Sequence, residues 1–427
     1  MKFFRRLVAT CATALFLTSG AAANPADTDA PQSNGFPIPF WYSLERQPAQ
    51  HLESMIAEFE ATHKHLDIQP RNFRSAEEMY RTMEKGEKPM FAVIEGNQLA
   101  RLDNSTDLTE VEDWMPREQF LFSWSVKHDV YGALFKGCSV DDRLMARPFF
   151  YSTTALIYNP DMLAKGGVKA APLTWKQVDE ASEKIKAKEP SAWGFGFGDD
   201  EGLKETLSLM LSQQDSIAPS ESVRNVVNLG QEMALTAGTP DEVRHSGQLA
   251  MRTGTVEDYL EMRAEGLPVR TAGVPGPDAK HRRTEYRVWS LGMFPVESHD
   301  LYKAQEFAFW LMDFNQQRNW AENTPYLSAH VKVFDNPFYR QARSEDHKNL
   351  RVFVNLLNRA DMAKAPAAPR AGVMSKLQAL FPKLLKGEMT SEAAMSQLAG
   401  PVVAPRAQEA RVENSGSQGS ANVQNPR

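Results

Sequence analysis

Residues 147–163 read RPFFYSTTALIYNPDML, and the centre of this stretch carries four consecutive hydroxyl side chains. Tyr151, Ser152, Thr153 and Thr154 lie between an aromatic pair and an apolar run that predicts a strand. Hydroxyl groups in such a run often bond the local backbone, as they do in edge strands and turns. They can also line a binding surface, and the rest of the chain has to decide between these two interpretations.

The first 23 residues have the composition of a secretory signal peptide. Lys2, Arg5 and Arg6 precede an apolar run, and small residues at 21–23 resemble a cleavage site. The apolar run is shorter than the roughly 20 residues that a membrane-spanning helix needs. We therefore expect residues 1–23 to be removed, residues 24–35 to form a flexible lead-in, and the mature protein to lie in the periplasm.

Length, charge and cysteine content narrow the class of protein further. A chain of 427 residues exceeds the usual size of a single core, so two lobes are expected. Without the three cations of the signal peptide the formal charge falls from −6 to −9, which disfavours nucleic acid as a partner. Because Cys138 is the one cysteine outside the signal peptide, we expect no intrachain disulfide and no cysteine-based metal site.

The chain after residue 36 opens with a βαβαβ pattern. FPIPFWYS, HLDIQPRNF and PMFAVIEG predict strands, and amphipathic helices are predicted at 50–62 and 76–85. This order indicates a parallel sheet with crossover helices. Thr174 is expected to cap a helix that continues through WKQVDEASEKIKAK. Residues 401–427 have the composition of a disordered tail.

Six segments of the chain carry a family resemblance. They are FWYSLE, KPMFAVIEGN, RPFFYSTTALIYNPDMLAKGGVKAAPLTWKQV, GQLAMRTGT, YKAQEFAFWLMDF and NWAENTPYLSAH. Their order resembles the extracellular solute-binding proteins of ABC importers, in the branch of maltose-binding and sn-glycerol-3-phosphate-binding proteins. The pattern is most similar to the glycerol-3-phosphate-binding members. The long third segment is the most specific, since it keeps the following family positions: Ser152, Thr153, Leu156, Tyr158, Asn159, Asp161 and Trp175.

The resemblance implies an α/β fold of the type II periplasmic-binding-protein kind. Two lobes of mixed sheets flanked by helices would close over a ligand by motion at a hinge. Lobe 1 would comprise 36–148 with 288–324, and lobe 2 would comprise 149–287 with 325–400. The hydroxyl groups at 151–154 then look like hinge and cleft-wall groups, which suit a ligand rich in oxygen.

The resemblance also implies a set of ligand-binding residues. Aromatic faces would stack on the ligand, Glu45 would accept hydrogen bonds from its hydroxyls, and Arg370 would clamp a phosphate. Trp41 has both a stacking and a core interpretation. The expected ligand-binding residues are Tyr42, Glu45, Ser152, Thr153, Thr255, Arg287, Trp289, Ser290, Tyr326 and Arg370. No catalytic residue, metal or cofactor is expected.

One segment departs from the family pattern. The family's Gly-Gly-x-Ser-Leu strand becomes Arg287-Val288-Trp289-Ser290-Leu291, so bulky side chains stand at two positions where a ligand approaches bare backbone. The cleft must be reshaped there, and Arg287 could recognise a larger anion. Similarly, Thr255 is the hydroxyl nearest to the family's serine-rich turn.

The sequence therefore predicts a monomeric periplasmic solute-binding component of an ABC importer, which is not an enzyme. It would capture sn-glycerol-3-phosphate, a glycerophosphodiester or a related sugar or polyol and deliver it to an inner-membrane permease. A protein-partner or sensor accessory built on the same fold is the main alternative, motivated by the replaced glycines. An exported hydrolase is a weaker one, because the chain has no HExxH or GxSxG motif.

Overall fold

The computed structural model describes residues 35–114, 129–197, 200–214, 219–233, 237–238, 248–295, 300–358, 360–362 and 368–398. The predicted signal peptide, residues 24–34 of the lead-in and the predicted tail lie outside these ranges. Within them, none of the helices combines the length and the hydropathy that crossing a membrane requires.

Most strands of the described residues belong to two sheets. The larger sheet contains β1 (Phe36–Tyr42), β2 (Leu66–Asn72), β3 (Phe91–Glu95), β6 (Ala146–Thr153), β12 (Thr284–Met293), β13 (Leu327–Ser328) and β14 (Ala360–Met362). The smaller sheet contains β7 (Ala155–Tyr158), β8 (Phe195–Gly196), β9 (Ala237–Gly238), β10 (Met251–Gly254) and β11 (Arg270–Ala272). A separate hairpin pairs β4 (Ser139–Val140) with β5 (Arg143–Leu144). The strand orders are β13-β6-β12-β3-β1-β2, with β14 also on β12, and β11-β7-β10-β8-β9.

Helices surround both sheets. Those before residue 190 are α1 (Arg46–Thr62), α2 (Ala76–Glu84), α3 (Leu99–Ser105), α4 (Val111–Trp114), α5 (Gly132–Gly137), α6 (Pro160–Lys165) and α7 (Trp175–Lys188). Those after it are α8 (Asp200–Ser212), α9 (Pro219–Glu232), α10 (Val256–Ala264), α11 (Leu301–Met312), α12 (Phe314–Asn323), α13 (Pro337–Ala342), α14 (His347–Leu357), α15 (Ala368–Leu385) and α16 (Ser391–Leu398). A short 3-10 turn spans Gly96–Gln98.

The predicted βαβαβ start is confirmed. β1 lies between β2 and β3 and pairs in parallel with both. The connecting helix α1 buries the predicted apolar stripe, including Leu52, Ile56 and Phe59. Ser75 caps α2 by accepting a hydrogen bond from the backbone N–H of Glu78 at 3.2 Å. β12 pairs antiparallel with β3 and β6, so the sheet is mixed, as predicted.

The hydroxyl run of residues 151–154 lies where the chain passes from one sheet to the other. β6 ends at Thr153 in the larger sheet, and β7 begins at Ala155 in the smaller one. Thr154 between them donates its N–H to the carbonyl of Glu285 at 3.2 Å. The hydroxyl of Thr284 donates to the carbonyl of Thr154 at 2.6 Å. This segment, which we call the passage between the sheets, is therefore hydrogen-bonded to β12.

The predicted lobe boundaries cut through elements of the larger sheet. β6 spans the boundary placed between residues 148 and 149, and β13 lies in a segment assigned to lobe 2. The helices α15 and α16, assigned to lobe 2, pack against α8 and α9. The division of the chain between the lobes stays a prediction.

The buried apolar side chains of the described residues form three large clusters. One covers a face of the larger sheet and includes Phe40 and Phe307. Another surrounds the smaller sheet and includes Leu207 and Phe381. The third, which includes Phe353, takes residues from both sheets, and its helix α14 contacts β6, β7, β11 and β12. The two sheets are thus joined by a shared core on one side of the passage.

Candidate functional site

An ion pair connects the larger sheet with the helices of the smaller one. Arg287 lies in β12, where it is paired with Ser152 of β6. Its Nη2 atom is 2.9 Å from Oε1 of Glu205, and both side chains are partly buried, with exposed fractions of 34% and 26%. Glu205 belongs to α8, whose Leu203 and Leu207 pack in the core around the smaller sheet. The pair therefore links β12 of the larger sheet to a helix that packs around the smaller sheet.

A second contact runs beside this ion pair. Ser208 lies one turn after Glu205 on α8, and its hydroxyl is 3.4 and 3.5 Å from the two carboxylate oxygens of Glu285. Glu285 precedes Arg287 by two residues, so both side chains leave the same face of β12. The helix and the strand consequently lie along each other, with Glu205 and Ser208 facing Arg287 and Glu285.

A third carboxylate approaches from α10. The hydroxyl of Ser152 donates to Oε2 of Glu257 at 2.7 Å. Burial raises the pKa of Glu257, whereas the charge of Arg287 and the bond from Ser152 act to lower it. Burial lowers the pKa of the Arg287 guanidinium, but Glu205, Glu257 and Glu95 raise it, and the net shift is upward. Carboxylates of β3, α8 and α10 thus surround Arg287.

Aromatic rings border this charged group, and we call Phe150, Trp289 and Tyr326 the aromatic platform. Phe150 and Trp289 stack with their ring centroids 5.1 Å apart, and the ring of Tyr326 lies 4.6 Å from Phe150 and 5.1 Å from Trp289. The Cζ atom of Arg287 is 5.6 Å from the Trp289 centroid, within the range of a cation–π contact. Burial raises the pKa of Tyr326, and the charges of Glu257 and Glu45 add to the shift.

This arrangement suits reversible binding of a polar molecule. Aromatic faces stack on carbon skeletons, while carboxylates and hydroxyls bond the polar groups of a ligand. Among the described residues, no group of three or more histidine, cysteine, aspartate and glutamate side chains is placed to hold a metal ion.

The structure brings several of the predicted ligand-binding residues together. Ser152, Arg287, Trp289 and Tyr326 lie in the group just described. Glu45 is exposed at the start of α1 and lies close enough to affect the pKa of Tyr326.

Four other predicted ligand-binding residues make hydrogen bonds within the protein. Tyr42 is fully buried and donates its hydroxyl to Glu53 at 3.2 Å. The hydroxyls of Thr153 and Ser290 donate to the backbone carbonyls of Phe353 and Ile94, each at 3.0 Å. Thr255 caps α10 in a capping box with Asp258. A role of these four residues in binding a solute stays a prediction.

Arg370 is the last of the predicted ligand-binding residues, and Trp41 is the residue with two interpretations. Arg370 falls in α15, but its side chain lies outside the described residues. Trp41 is 5% exposed and packs at 5.0 Å from the ring of Phe73 in the shared core, which favours its core interpretation.

Sequence reasoning missed Glu205, Glu257 and Phe150. Glu257 follows Thr255, and the Thr-x-x-Asp capping box could have placed it on the first turn of a helix. Nothing in DEGLKETL distinguishes Glu205 from an ordinary surface acid, since its partner Arg287 is 82 residues away in the chain.

A family model described as "Bacterial extracellular solute-binding protein" matches residues 44–223. The sn-glycerol-3-phosphate-binding periplasmic protein UgpB of Shigella flexneri is 24% identical over 278 residues. That match covers 61% of this chain and 61% of the relative, so the chain spans less than two thirds of the curated relatives it matches. The predicted resemblance to this group of proteins is confirmed.

Solved structures of the same kind superpose over most of the chain. The sugar-binding protein MalE from Xanthomonas citri matches with a TM-score of 0.68 and 17% identity, covering 85% of this chain and 95% of that one. UgpB from Mycobacterium tuberculosis in complex with glycerophosphocholine matches with a TM-score of 0.64 and 15% identity, covering 85% and 96%. The predicted fold, that of the two-lobe type II periplasmic binding proteins, is confirmed.

Proposed function

From the family match and the two-lobe fold, we propose that this chain is the solute-binding component of an ABC importer. It captures a polar solute between the lobes outside the cytoplasmic membrane, in the periplasm, and delivers it to a membrane permease. The observation that carries this proposal is the group formed by Arg287, Glu205 and Glu257 beside the aromatic platform. Its members come from β12 of the larger sheet and from helices α8 and α10, an arrangement that suits a cleft that closes on its ligand.

The chemistry of the cleft favours a sugar, a polyol or a glycerophosphodiester. Ligand hydroxyls would donate to Glu205, Glu257 and Glu45, and a sugar ring would stack on Trp289 or Tyr326. UgpB of Shigella flexneri is an sn-glycerol-3-phosphate-binding protein, and UgpB of Mycobacterium tuberculosis was solved in complex with glycerophosphocholine; both support this class of solute.

The negative charge of the site favours binding of a phosphodiester over binding of a phosphate monoester. A phosphate monoester carries about −1.5 to −2 charges near pH 7. The carboxylates of Glu95, Glu205 and Glu257 surround Arg287, and they would repel a second negative charge in a partly buried site. We therefore propose that a glycerophosphodiester or a neutral sugar binds more tightly than sn-glycerol-3-phosphate.

The test is a thermal-shift and calorimetry panel of maltose, glycerol, glycerophosphocholine and sn-glycerol-3-phosphate. A bound solute at a hundredfold excess over Kd should stabilise the protein by about 2.7 kcal/mol. Trp289→Ala should weaken binding by roughly 1–2 kcal/mol, because it removes a stacking face. Trp193→Ala serves as the control, since that ring lies against Lys186 of α7.

Three outcomes oppose the proposal. No stabilisation by any solute of these classes, with a protein partner recovered by pull-down, would favour the accessory alternative. Turnover of a glycerophosphodiester would make the protein an enzyme. Equal losses in Trp289→Ala and Trp193→Ala would move the binding site away from the aromatic platform.

A further inference from the structure

We infer that Arg287 is an internal tether, which covers the aromatic platform and holds the lobes together until a solute displaces it. This inference rests on the proposed function and names the residue that determines which solutes can enter the cleft.

The guanidinium of Arg287 already makes the contacts that a bound ligand would make. Its Nη2 atom is 2.9 Å from Glu205, and its Cζ atom is 5.6 Å from the centroid of Trp289. Trp289 and Tyr326 are each 8% exposed and pack with Phe150 in the core of the larger sheet, and the guanidinium lies over the ring of Trp289. A solute that stacks on the platform must first take the place of the guanidinium.

The backbone beneath Arg287 is fixed, whereas its side chain can move. β12 is paired on both sides near this point, with Arg287 opposite Ser152 and Trp289 opposite Glu95. Val288 is 2% exposed and packs in the shared core, which anchors the strand from its other face. An arginine side chain has several rotatable bonds, so the guanidinium can turn aside while the strand keeps its register.

Charged contacts across the cleft make the tether effective. Besides Glu205, the carboxylates of Glu257 and Glu95 attract the guanidinium of Arg287. The neighbouring contact between Ser208 and Glu285, at 3.4 and 3.5 Å, is longer than an ordinary hydrogen bond of a hydroxyl group. The ion pair of Arg287 with Glu205 is shorter than this neighbouring contact, and it joins two charged groups.

The tether has a consequence for specificity. If the chain binds solute only when the guanidinium has moved, the apparent Kd is raised by the inverse of that competent fraction. A solute compensates for the lost contacts when it offers hydrogen-bond donors to Glu205 and Glu257. Polyols and sugars meet this requirement, whereas small apolar molecules do not.

The first test measures the distance between the lobes with no solute added. Spin labels on cysteines introduced at the exposed positions Glu78 of α2 and Lys184 of α7 report this distance, since Cys138 is fully buried. Arg287→Ala and Glu205→Gln should both lengthen or broaden the distance distribution. Arg318→Ala, which removes the ion pair with Glu322 inside α12, should leave it unchanged. Unchanged distributions in both cleft variants would overturn the inference.

The second test asks whether the guanidinium covers Trp289. The difference in acrylamide quenching between a chain and its Trp289→Phe variant isolates the signal of this ring. That difference should increase when Arg287→Ala is introduced, and no increase would contradict the proposed cover.

The third test measures affinity for maltose and glycerophosphocholine by calorimetry. Arg287→Ala should lower the apparent Kd about tenfold, as expected if the tethered form outweighs the open form by about ten to one. A raised Kd would identify Arg287 as a direct ligand of the solute and overturn the tether. If neither probe binds to any variant, the proposed function fails for these solutes, while the distance and quenching measurements still decide the inference.

Discussion

The neighbouring residues Ser152 and Thr153 make different contacts. Successive side chains of a strand point to opposite faces of the sheet. Ser152 faces the cleft and donates to Glu257 at 2.7 Å, whereas Thr153 faces the shared core and donates to the carbonyl of Phe353 at 3.0 Å. The same type of group therefore lies in the proposed binding site at one position and packs in the core at the next.

We expect Thr153→Val and Ser152→Ala to separate these tasks. Thr153→Val leaves a buried carbonyl without its donor and should lower the free energy of unfolding by about 1–2 kcal/mol, with solute affinity unchanged. Ser152→Ala removes a bond that lowers the pKa of Glu257, and it should weaken polyol binding. Urea unfolding and calorimetry provide the two measurements. A larger loss of affinity in Thr153→Val than in Ser152→Ala would contradict this assignment.

At the scale of residues, the sequence predicted the cleft but not which hydroxyls face it. The direction of a side chain depends on strand register, and β12 has a register irregularity between Trp289 and Ser290. Ser290 is three residues from Arg287, so it leaves the opposite face of β12 and donates to the carbonyl of Ile94. Neither that irregularity nor the partner of Arg287 has a local signal in the sequence.

At the scale of elements, α7 carries a cluster of acids. Burial, together with the negative charges of Glu183, Glu232 and Glu180, raises the pKa of Asp179 to about 6. The Oδ1 atom of Asp179 is buried without a hydrogen-bond partner among the described residues. Glu232 belongs to α9, so the repulsion acts between two packed helices of the second lobe.

We expect Asp179→Asn to stabilise the protein in a pH-dependent way. The folded-state pKa of about 6 exceeds the ordinary value of 3.8, so the folded protein holds the proton longer than the unfolded chain does. The unmodified chain therefore loses stability as the pH rises from about 4 to 6, and the asparagine variant lacks this loss. The two should be equally stable below pH 4 and differ by roughly 1 kcal/mol at pH 7, after allowance for solvent screening.

Urea unfolding between pH 4 and 7 checks this prediction, with Glu180→Gln as the control. Glu180 is exposed on the same helix, so its variant should show a smaller effect. A difference between Asp179→Asn and the unmodified chain that is constant over this pH range would show that charge is not its cause.

Elements with local signals were predictable, and elements without them were not. Thr174 caps α7 as expected, and its side chain accepts a hydrogen bond from the N–H of Gln177 at 3.2 Å. This helix was predictable because its capping residue and its apolar periodicity both lie within a short segment of the sequence. The strands of the smaller sheet are two to four residues long. Such runs are too short to show an alternating pattern, and their pairing depends on distant partners.

At the scale of the whole molecule, the two lobes are not independent. The shared core contains Tyr151 and Tyr286 of the larger sheet, Ile157 of the smaller one and Tyr259 of α10. Phe353 of α14 lies in it with no exposed surface, and its ring is 6.2 Å from that of Tyr259. The core joins the two sheets on one side of the passage, while Arg287 and Glu205 link β12 of the larger sheet to a helix that packs around the smaller one.

We expect Phe353→Ala to uncouple the unfolding of the two lobes. Truncating a fully buried phenylalanine should lower the free energy of unfolding by about 3–5 kcal/mol. Because this cavity lies between the lobes, urea unfolding should change from one transition to two, with a reduced m-value in a two-state fit. Phe381→Ala is the matched control, since Phe381 is equally buried but packs at 5.1 Å from the ring of Phe197 within the second lobe. It should lower the midpoint and keep a single transition. Two transitions in the unmodified chain would show that the shared core does not couple the lobes.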